Sequence, residues 1–214
     1  MDQNLHDQRR EYDNPPLDES CLASSPFDQF VSWYQHAVST QLLEPNAMVL
    51  ATVDASGRPT QRTVLLKYYD SHGFVFFTNY KSRKASQIAE NAFVSLHFLW
   101  LPLHRQIEIS GTAVRVSTVE SLKYFATRPR GSQLGAWVSE QSSIITSRIL
   151  LDAKLAEVKQ KFSNNEIPWP SFWGGFRVVP QRFEFWQGQP NRLHDRFEYL
   201  LQAESTWARH RLAP

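Results

Sequence analysis

The feature that most constrains this chain is a series of short apolar segments, rich in β-branched residues, that are separated by tight-turn sequences. Residues 47–53, 62–69 and 74–78 are such segments, and residues 54–57 and 71–73 have the Asp, Ser and Gly content of turns. Turns this short can join antiparallel strands, whereas neighbouring parallel strands need a long crossover connection. The pattern therefore predicts an antiparallel meander and argues against a Rossmann fold.

The rest of the chain mixes strands with helices, which indicates an α+β protein. About six antiparallel strands with inserted helices favour a closed or nearly closed β-barrel. Residues 1–25 are polar and are expected to be a mobile N-terminal arm, followed by a single domain over residues 26–214. Further strands are predicted at 93–101, 105–116, 176–179, 182–187 and 192–197, and helices at 27–43, 81–90, 117–128, 132–139 and 143–162. Ser117 and Glu120 have the spacing of a capping box, and the last helix has an apolar stripe of Leu151, Leu155, Val158 and Phe162.

Composition excludes several classes of function. Lys and Arg number 23 against 21 Asp and Glu, and a net charge of +2 gives little attraction to nucleic acid or to membranes. One cysteine, Cys21, allows neither an intramolecular disulfide nor a cysteine-based zinc site, and the His residues are scattered. The cysteine and histidine content therefore predicts no metal site. The N-terminus lacks the apolar core of a signal peptide, so a cytoplasmic protein is expected.

Basic residues form separate candidate anion sites at two places. At the first, Ser82 is the expected N-cap of a helix whose first turn contains Arg83 and Lys84. Cations oppose the helix dipole there unless an anion binds the free N–H groups and both side chains. At the second, the strand predicted at 62–69 carries Arg62 and Lys67, which a regular strand places on opposite faces, so that they would serve different groups. Solvated basic residues are the alternative at both places.

A third candidate anion site lies at the C-terminal end of the helix that starts at residue 117. Tyr124 and Arg128 are four residues apart, so on a helix they can touch one ligand. Ser132 follows the helix-breaking Pro129, where it can cap the next helix. The alternative is an ordinary helix C-terminus, where the dipole favours a cation in any case.

The fourth candidate anion site, at residues 192–196, is the most specific. Strand alternation would place Arg192, His194 and Arg196 on one face. Such groups repel each other unless they face an anion or solvent, and Trp186 precedes them as a flat aromatic neighbour. The alternative is an exposed edge strand protected by charge. Together the candidates predict a ligand that is planar and phosphorylated, such as a flavin, and a cofactor that carries the chemistry.

These candidate residues lie in segments that resemble the pyridoxamine/pyridoxine 5′-phosphate oxidase family of FMN enzymes. The resemblance runs from residue 9 to the last residue, and the combination of segments is specific although no single segment is. The matching segments are 9–12, 61–67, 76–79, 82–85, 105–106, 124–133, 135–139, 141–143, 172–175, 184–188, 192–196 and 211–214.

The resemblance implies an FMN-binding split β-barrel and a homodimer with FMN at the subunit interface. The residues that it assigns to FMN from one subunit are Arg62, Thr63, Val64, Leu65, Leu66, Lys67, Phe77, Thr78, Arg83, Lys84 and Gln106. Those that it assigns to the same FMN from the other subunit are Gln141, Ser142, Trp186 and Arg196.

The resemblance also implies how the substrate is bound. The residues that it assigns to the substrate phosphate are Lys67, Tyr124, Arg128 and Ser132. Those at the substrate ring are Arg192, Leu193 and His194, of which Arg192 and His194 are the catalytic pair. Those of an arm that closes the site are Arg9, Arg10, Glu11 and Tyr12.

The implied reaction is the oxidation of pyridoxamine or pyridoxine 5′-phosphate to pyridoxal 5′-phosphate, by hydride transfer from C4′ to flavin N5 and reduction of O₂ to H₂O₂. One departure is the acidic pair Asp18 and Glu19, in a region where many members have a basic cluster, and it bears on how the arm closes. The alternatives are a non-catalytic flavin or pyridoxal-phosphate carrier, a flavin reductase on the same fold and, more remotely, a nucleic-acid-binding barrel.

Overall fold

The computed structural model describes residues 6, 11–163 and 165–214. Within these residues the chain forms five α-helices and nine strands. The helices are α1 (Pro26–Ser39), α2 (Arg83–Glu90), α3 (Thr118–Thr127), α4 (Arg130–Val138) and α5 (Arg148–Lys161). The strands are β1 (Ala47–Val53), β2 (Pro59–Leu65), β3 (Tyr68–Asp70), β4 (Gly73–Asn79), β5 (Phe93–Trp100), β6 (Arg105–Arg115), β7 (Trp173–Gln187), β8 (Asp195–Leu201) and β9 (Trp207–Leu212).

Hydrogen bonding links the strands into one sheet in the order β2-β1-β5-β6-β7-β4-β3, with β8 paired to β7 and β9 paired to β8. The pairings of β3 with β4, of β4 and β8 with β7, and of β9 with β8 are antiparallel. The predicted α+β class with antiparallel strands is therefore confirmed. By contacts, the chain divides into two compact units, and β1, β5, β6 and β7 each contribute residues to both.

The first unit comprises the described residues up to Val49, Ser95–Ser110 and Pro180–Pro214. In it, α1 lays its aromatic face on the strands: Phe30 is fully buried against Phe98, and Trp33 meets Phe185 edge to face. Burial of aromatic rings of this size is the largest contribution to the stability of such a core. The same unit contains the ladder of β7, β8 and β9.

The second unit comprises Leu50–Val94 and Gly111–Val179. Its β4 is buried almost throughout and pairs with the first half of β7, where Phe76 lies opposite Phe176. Helices α3, α4 and α5 form a separate apolar cluster with Trp173. The predicted apolar stripe of α5 packs into that cluster, with Val158 and Phe162 buried. The predicted capping box of α3 is also present, between Ser117 and Glu120.

The structure corrects the last three predicted strands. Residues 176–179 and 182–187 belong to a single strand, β7. Residues 192–194 are not a strand: Pro190–Arg192 form a short turn in which Asn191 and Arg192 have φ angles of 56° and 63°. The ring of Pro190 fixes the backbone at the start of this turn, and left-handed residues cannot continue a pleated strand. The argument from strand alternation that placed Arg192, His194 and Arg196 on one face therefore fails.

The described part of the N-terminal segment contributes more to the core than its composition predicts. Leu17 and Leu22 are buried, and the Leu17 amide donates a hydrogen bond to Asp195. The acidic pair is neutralised by β9: Asp18 pairs with Arg211 and Glu19 pairs with Arg209, each at 3.3 Å. The acidic character of residues 15–21 therefore matches basic residues of the same unit.

The turn between β3 and β4 depends on glycine. Gly73 has a φ of 139°, and a β-carbon there would overlap the carbonyl of Val178. We expect Gly73→Ala to lower the free energy of unfolding by about 3 kcal/mol, because both the backbone conformation and the strand pairing oppose the added methyl group. Denaturant unfolding followed by tryptophan fluorescence at one protein concentration measures the loss.

Gly57→Ala is the matched control. Gly57 also has a positive φ, of 81°, but no atom lies within 4 Å of the position of its β-carbon. In Gly57→Ala only the strain of a non-glycine residue at positive φ remains, and we expect the free energy of unfolding to fall by about 1 kcal/mol. Equal losses in the two variants would contradict the steric explanation for Gly73.

Candidate functional site

The start of α2 presents cations in the second unit. Ser82 is the N-cap by position, as predicted, but its side chain makes no capping hydrogen bond. Its hydroxyl is buried and has no hydrogen-bond partner among the described residues. Arg83 and Lys84 follow, so the free N–H groups of the helix, an unpaired hydroxyl and two cations lie together. This combination is suited to bind an anion.

Lys84 is the most buried of these cations. Its side chain is 8% exposed, and Nζ donates to the side-chain oxygen of Gln141 at 2.7 Å and to the hydroxyl of Thr78 at 3.2 Å. Burial, and then the charge of Arg62, lower the pKa of Lys84 to about 8. Lys84 is therefore held by uncharged oxygens in a position where its charge is not neutralised.

Arg62 is held in the same way. Its guanidinium donates to the hydroxyls of Thr52 and Thr60, at 2.6 and 2.7 Å, and to the backbone carbonyl of Leu50. Burial, and then the charge of Arg83, lower the pKa of Arg62. Among the described residues, none of these three cations has a carboxylate within ion-pair distance. A bound anion would remove this uncompensated charge.

Gln141 and Ser142 reach these cations within one chain. Thr78 donates to Gln141 at 2.9 Å, and the Arg83 amide donates to the Ser142 hydroxyl at 3.3 Å. The resemblance implied that these two residues serve from the partner subunit, whereas the structure places them beside Arg83 and Lys84 of their own chain.

The remaining FMN residues implied for the second unit lie on and after β2. Thr63 is exposed, Val64 and Leu65 are half-buried, and Leu66 is buried. Lys67 follows the end of β2, and its amide donates to the carbonyl of Val75. The strand is therefore interrupted before Lys67, so the prediction that Arg62 and Lys67 lie on opposite faces of one regular strand does not apply.

A second group of side chains in this unit surrounds Trp173. Tyr124 stacks on Phe77 with ring centroids 4.0 Å apart, and both rings are nearly parallel to Trp173. The Arg128 guanidinium lies over the Trp173 ring, 4.4 Å from its centroid. Burial lowers the pKa of Arg128, and its buried Nη1 has no hydrogen-bond partner among the described residues. Stacking therefore holds the arginine while leaving a donor free.

The geometry differs from the helix-face prediction. Helix α3 ends at Thr127, and Arg128 has an extended backbone because a proline follows it. Arg128 and Tyr124 still interact and both contact Trp173, but Arg128 lies beyond the end of the helix and not on its face. Ser132 lies exposed inside α4, whose N-cap is Pro129, so it does not cap that helix.

The first unit contains an aromatic group around His194. Its ring lies 4.6 Å from Trp186 and 5.8 Å from Tyr12, and Tyr12 packs in turn on His104. Nδ1 of His194 accepts a hydrogen bond from the Gln189 amide, so the proton of the neutral ring is on Nε2. Burial, followed by the charge of Arg192, lowers the pKa of His194. His194 is therefore a neutral ring with one N–H to donate.

The neighbours of His194 differ in their exposure. Arg192 and Leu193 are exposed, whereas Arg196 is half-buried and is paired with Glu184 at 2.7 Å. The sequence pattern predicts Arg196 as a cation that faces an anion or solvent, whereas the structure pairs it with Glu184.

The remaining implied residues are few. Gln106 is half-buried in β6. Glu11 accepts a hydrogen bond from the Asn191 amide. Arg9 and Arg10 lie outside the described residues.

Sequence reasoning missed three residues of these groups and one role. The structure adds Trp173 under Arg128, His104 against Tyr12, Glu184 against Arg196, and the unpaired hydroxyl of Ser82. All but His104 stand in segments that resemble the family, 82–85, 172–175 and 184–188, so their position was a signal. Their contacts join residues that are distant in the chain, and no local pattern reveals them.

Two further findings apply to the described part of the chain. It contains no cluster of three His, Cys, Asp or Glu residues that could hold a metal ion. None of its helices is both long enough and apolar enough to cross a membrane.

Comparisons with known proteins agree with this arrangement. A family model described as pyridoxamine 5′-phosphate oxidase matches residues 34–162. A second, described as the pyridoxine 5′-phosphate oxidase C-terminal dimerisation region, matches residues 173–214. A pyridoxine/pyridoxamine 5′-phosphate oxidase of Rippkaea orientalis is 61% identical over 96% of this chain and 97% of its own. One of Hydrogenovibrio crunogenus is 53% identical over the whole of both chains.

Solved structures are similar in fold. The crystal structure of PhzG from Burkholderia lata, in complex with tetrahydrophenazine-1-carboxylic acid, has a TM-score of 0.85 at 30% identity, over 90% of this chain and 94% of that one. A pyridoxamine 5′-phosphate oxidase-related, FMN binding protein from Nostoc punctiforme has a TM-score of 0.72 at 16% identity, over 89% of this chain and 98% of that one. The predicted fold class, an FMN-binding split β-barrel with peripheral helices, is thereby confirmed. The chain is an oxidase and belongs to the pyridoxine/pyridoxamine 5′-phosphate oxidase family.

Proposed function

We propose that this oxidase uses FMN to convert pyridoxamine 5′-phosphate and pyridoxine 5′-phosphate to pyridoxal 5′-phosphate, with O₂ as the electron acceptor, and that it acts as a homodimer. The observation that carries the proposal is the group of carboxylate-free cations around Lys84. Arg62 and Lys84 are held by neutral oxygens with Arg83 beside them, so their positive charge is uncompensated, and a phosphate supplies the missing negative charge.

The residues present fit FMN at this place. The buried, unpaired hydroxyl of Ser82 and the free amides at the start of α2 add uncharged donors to Arg62, Arg83 and Lys84. A dianionic phosphate has several acceptor oxygens and needs such a set of donors. Gln141 and Ser142, which contact the same cations, complete the polar lining.

The group around Trp173 is suited to a second phosphate, that of the substrate. Arg128 is held flat on the indole and keeps a buried Nη1 without a partner, and Tyr124 stands beside it on the same aromatic stack. The resemblance adds Lys67 and Ser132, both of which are exposed side chains in this unit. The two phosphate groups therefore have separate sets of donors.

In the first unit, Arg192 and His194 are proposed to act at the substrate ring. His194 donates through Nε2–H, because the Gln189 amide occupies its other nitrogen. Arg192 is exposed and adjacent, and burial, followed by the charge of Arg192, lowers the pKa of His194. Glu11 and Tyr12, with Arg9 and Arg10 outside the described residues, are proposed to belong to an arm that closes the site.

FMN held by Arg62, Arg83 and Lys84 would supply the redox chemistry, accepting a hydride from C4′ of the substrate and passing two electrons to O₂, which with two protons gives H₂O₂. The amine substrate would be oxidised to an imine, and hydrolysis of that imine would give the aldehyde and ammonia. The protein binds both phosphates, orients the ring by stacking, and donates or accepts protons through Arg192 and His194. The match of residues 173–214 to a dimerisation region supports the homodimer.

An anaerobic absorption spectrum tests the reaction directly. We expect a flavin band that bleaches when pyridoxine 5′-phosphate is added and returns when air is admitted, because the substrate reduces the flavin and O₂ reoxidises it. Arg192→Ala should keep the band and bleach about 100-fold more slowly or worse, since it lacks a group at the reacting ring. A band that persists with wild-type protein contradicts the proposed reaction, and normal bleaching by the variant contradicts the role of Arg192.

The lowered pKa of Lys84 predicts how FMN affinity depends on pH. Without phosphate, Lys84 loses its charge above about pH 8, whereas bound phosphate favours the charged form. Binding therefore requires proton uptake above that pH, and the dissociation constant of FMN should rise by up to about tenfold per pH unit. Flavin fluorescence between about pH 7 and pH 9 measures it, in a range where the phosphate is already dianionic.

Lys84→Arg separates this effect from general loss of structure at high pH. Arginine keeps its charge throughout the range, so the pH dependence should flatten in the variant. A wild-type constant that does not change with pH, or a variant with the same slope, would show that Lys84 does not bind the phosphate.

Arg128→Ala tests the substrate phosphate site. The variant loses a charged donor that binds the substrate before and during reaction, so KM should rise about tenfold or more while kcat changes less than about threefold. Arg130→Ala is the control, because this nearby arginine donates instead to the backbone carbonyls of Phe162 and Asn165. Steady-state kinetics with pyridoxine 5′-phosphate measures both constants. An equal change of KM in the two variants would refute the assignment of Arg128 to the substrate phosphate.

A further inference from the structure

Arg196 is held in one orientation by two neighbours of its own unit. Its Nε donates to Oε1 of Glu184 at 2.8 Å, its Nη2 forms an ion pair with the same oxygen at 2.7 Å, and its Nη1 donates to the carbonyl of Ala213 at 2.9 Å. A guanidinium has five N–H bonds, so one remains on each terminal nitrogen. The arginine therefore keeps two donors, in a plane that Glu184 and Ala213 define.

Glu184 is itself anchored by a second arginine. Its other oxygen, Oε2, accepts a hydrogen bond from Nη2 of Arg182 at 2.6 Å. Arg182 is fixed in turn by Glu108 at 2.9 Å and by Glu198 at 3.0 Å. Since the Glu184 side chain is only 12% exposed, it is poorly placed to exchange these partners for water. Its position is therefore set before any ligand binds.

The strand register places Glu184 beside Trp186 and Arg196, two of the residues that are proposed to contact FMN. Arg196 lies directly opposite Trp186 in the ladder of β7 and β8, and both are proposed to contact FMN. Glu184 lies two residues before Trp186 on β7, and side chains two residues apart share a face of a strand. Glu184 is thus beside both residues on the same face of the sheet.

We propose that Glu184 is a positioning residue for FMN binding, acting through Arg196. The inference rests on the proposed function, because it requires that Arg196 contacts the flavin. Glu184 need not touch the cofactor: it orients the guanidinium, so that flavin binding does not have to order a free arginine side chain.

Glu198 provides a matched control. It lies directly opposite Glu184 in the ladder, its side chain is 16% exposed, and it also binds Arg182. Unlike Glu184, Glu198 has His210 as its second neighbour, and among the described residues it does not pair with Arg196. Loss of either carboxylate weakens the hold on Arg182, but only loss of Glu184 releases Arg196.

The experiment compares the holoenzymes of wild type, Glu184→Gln, Glu198→Gln and Arg196→Ala. Each is diluted, and the rise in flavin fluorescence at equilibrium gives the dissociation constant of FMN. We expect Glu184→Gln to raise this constant about tenfold, the effect of one charge-assisted hydrogen bond, and Glu198→Gln to change it less than about twofold. Denaturant midpoints of the two glutamine variants should fall by similar amounts.

A double variant and a conservative one separate positioning from general destabilisation. In the Arg196→Ala background, Glu184→Gln should have no further effect on the constant, because its effect passes through the arginine. Glu184→Asp keeps the charge and should restore part of the affinity. Equal constants for the two glutamine variants, or an effect of Glu184→Gln that persists without Arg196, would overturn the inference.

The same measurements identify a failure of the underlying assignment. If Arg196→Ala leaves the dissociation constant of FMN unchanged, then Arg196 does not bind the flavin, and the proposed site is wrong at this residue. If Arg196→Ala weakens binding while Glu184→Gln does not, the assignment of Arg196 survives and only the positioning role of Glu184 is refuted.

Discussion

The backbone ladder of β7 is the constraint on which the rest of the structure depends. Its first half pairs with β4, and its second half pairs with β8. Trp173, which lies under Arg128, is at the start of this strand, and Glu184 and Trp186 are near its end. If the pairing of β7 with its neighbours shifted by one residue, each of these side chains would lie on the opposite face of the sheet. The pairing of β7 therefore determines the position of both the binding groups and their supports.

Partly buried cations of this protein are held in two ways. In the second unit, Arg62 and Lys84 are held by hydroxyls, amides and carbonyls, which orient the charges without neutralising them. In the first unit, Arg182 and Arg196 are held by carboxylates. A charge that is oriented but not neutralised favours an anionic ligand, whereas an arginine paired with a carboxylate serves better as a directed hydrogen-bond donor. This difference is why the phosphate of FMN is assigned to the cations of the second unit.

Local pattern predicted most of the elements but fewer of the contacts. β1, the capping box of α3 and the apolar stripe of α5 follow from spacing alone, because each depends on neighbours within a few residues. Residues 192–194 were predicted as strand because their polar alternation is compatible with one, yet Pro190 and two left-handed residues form a turn. Arg128 was placed on a helix face, and the proline that follows it ends the helix one residue earlier.

The sequence by itself determined the antiparallel α+β class, the segments that carry the chemistry and, through their combination, the oxidase family. The class and the segments follow from residue order, since turns, caps and apolar periodicity act over short distances along the chain. The family follows from the resemblance that these segments carry. Only the tertiary structure decided that Gln141 meets Lys84 of its own chain, that Trp173 supports Arg128, and that Glu184 holds Arg196. Gln141 and Lys84 are far apart in the chain, and even Glu184 and Arg196 meet only through the pairing of β7 with β8. Chain folding creates such contacts, and the partners that a desolvated charge acquires there decide which ligand it can bind.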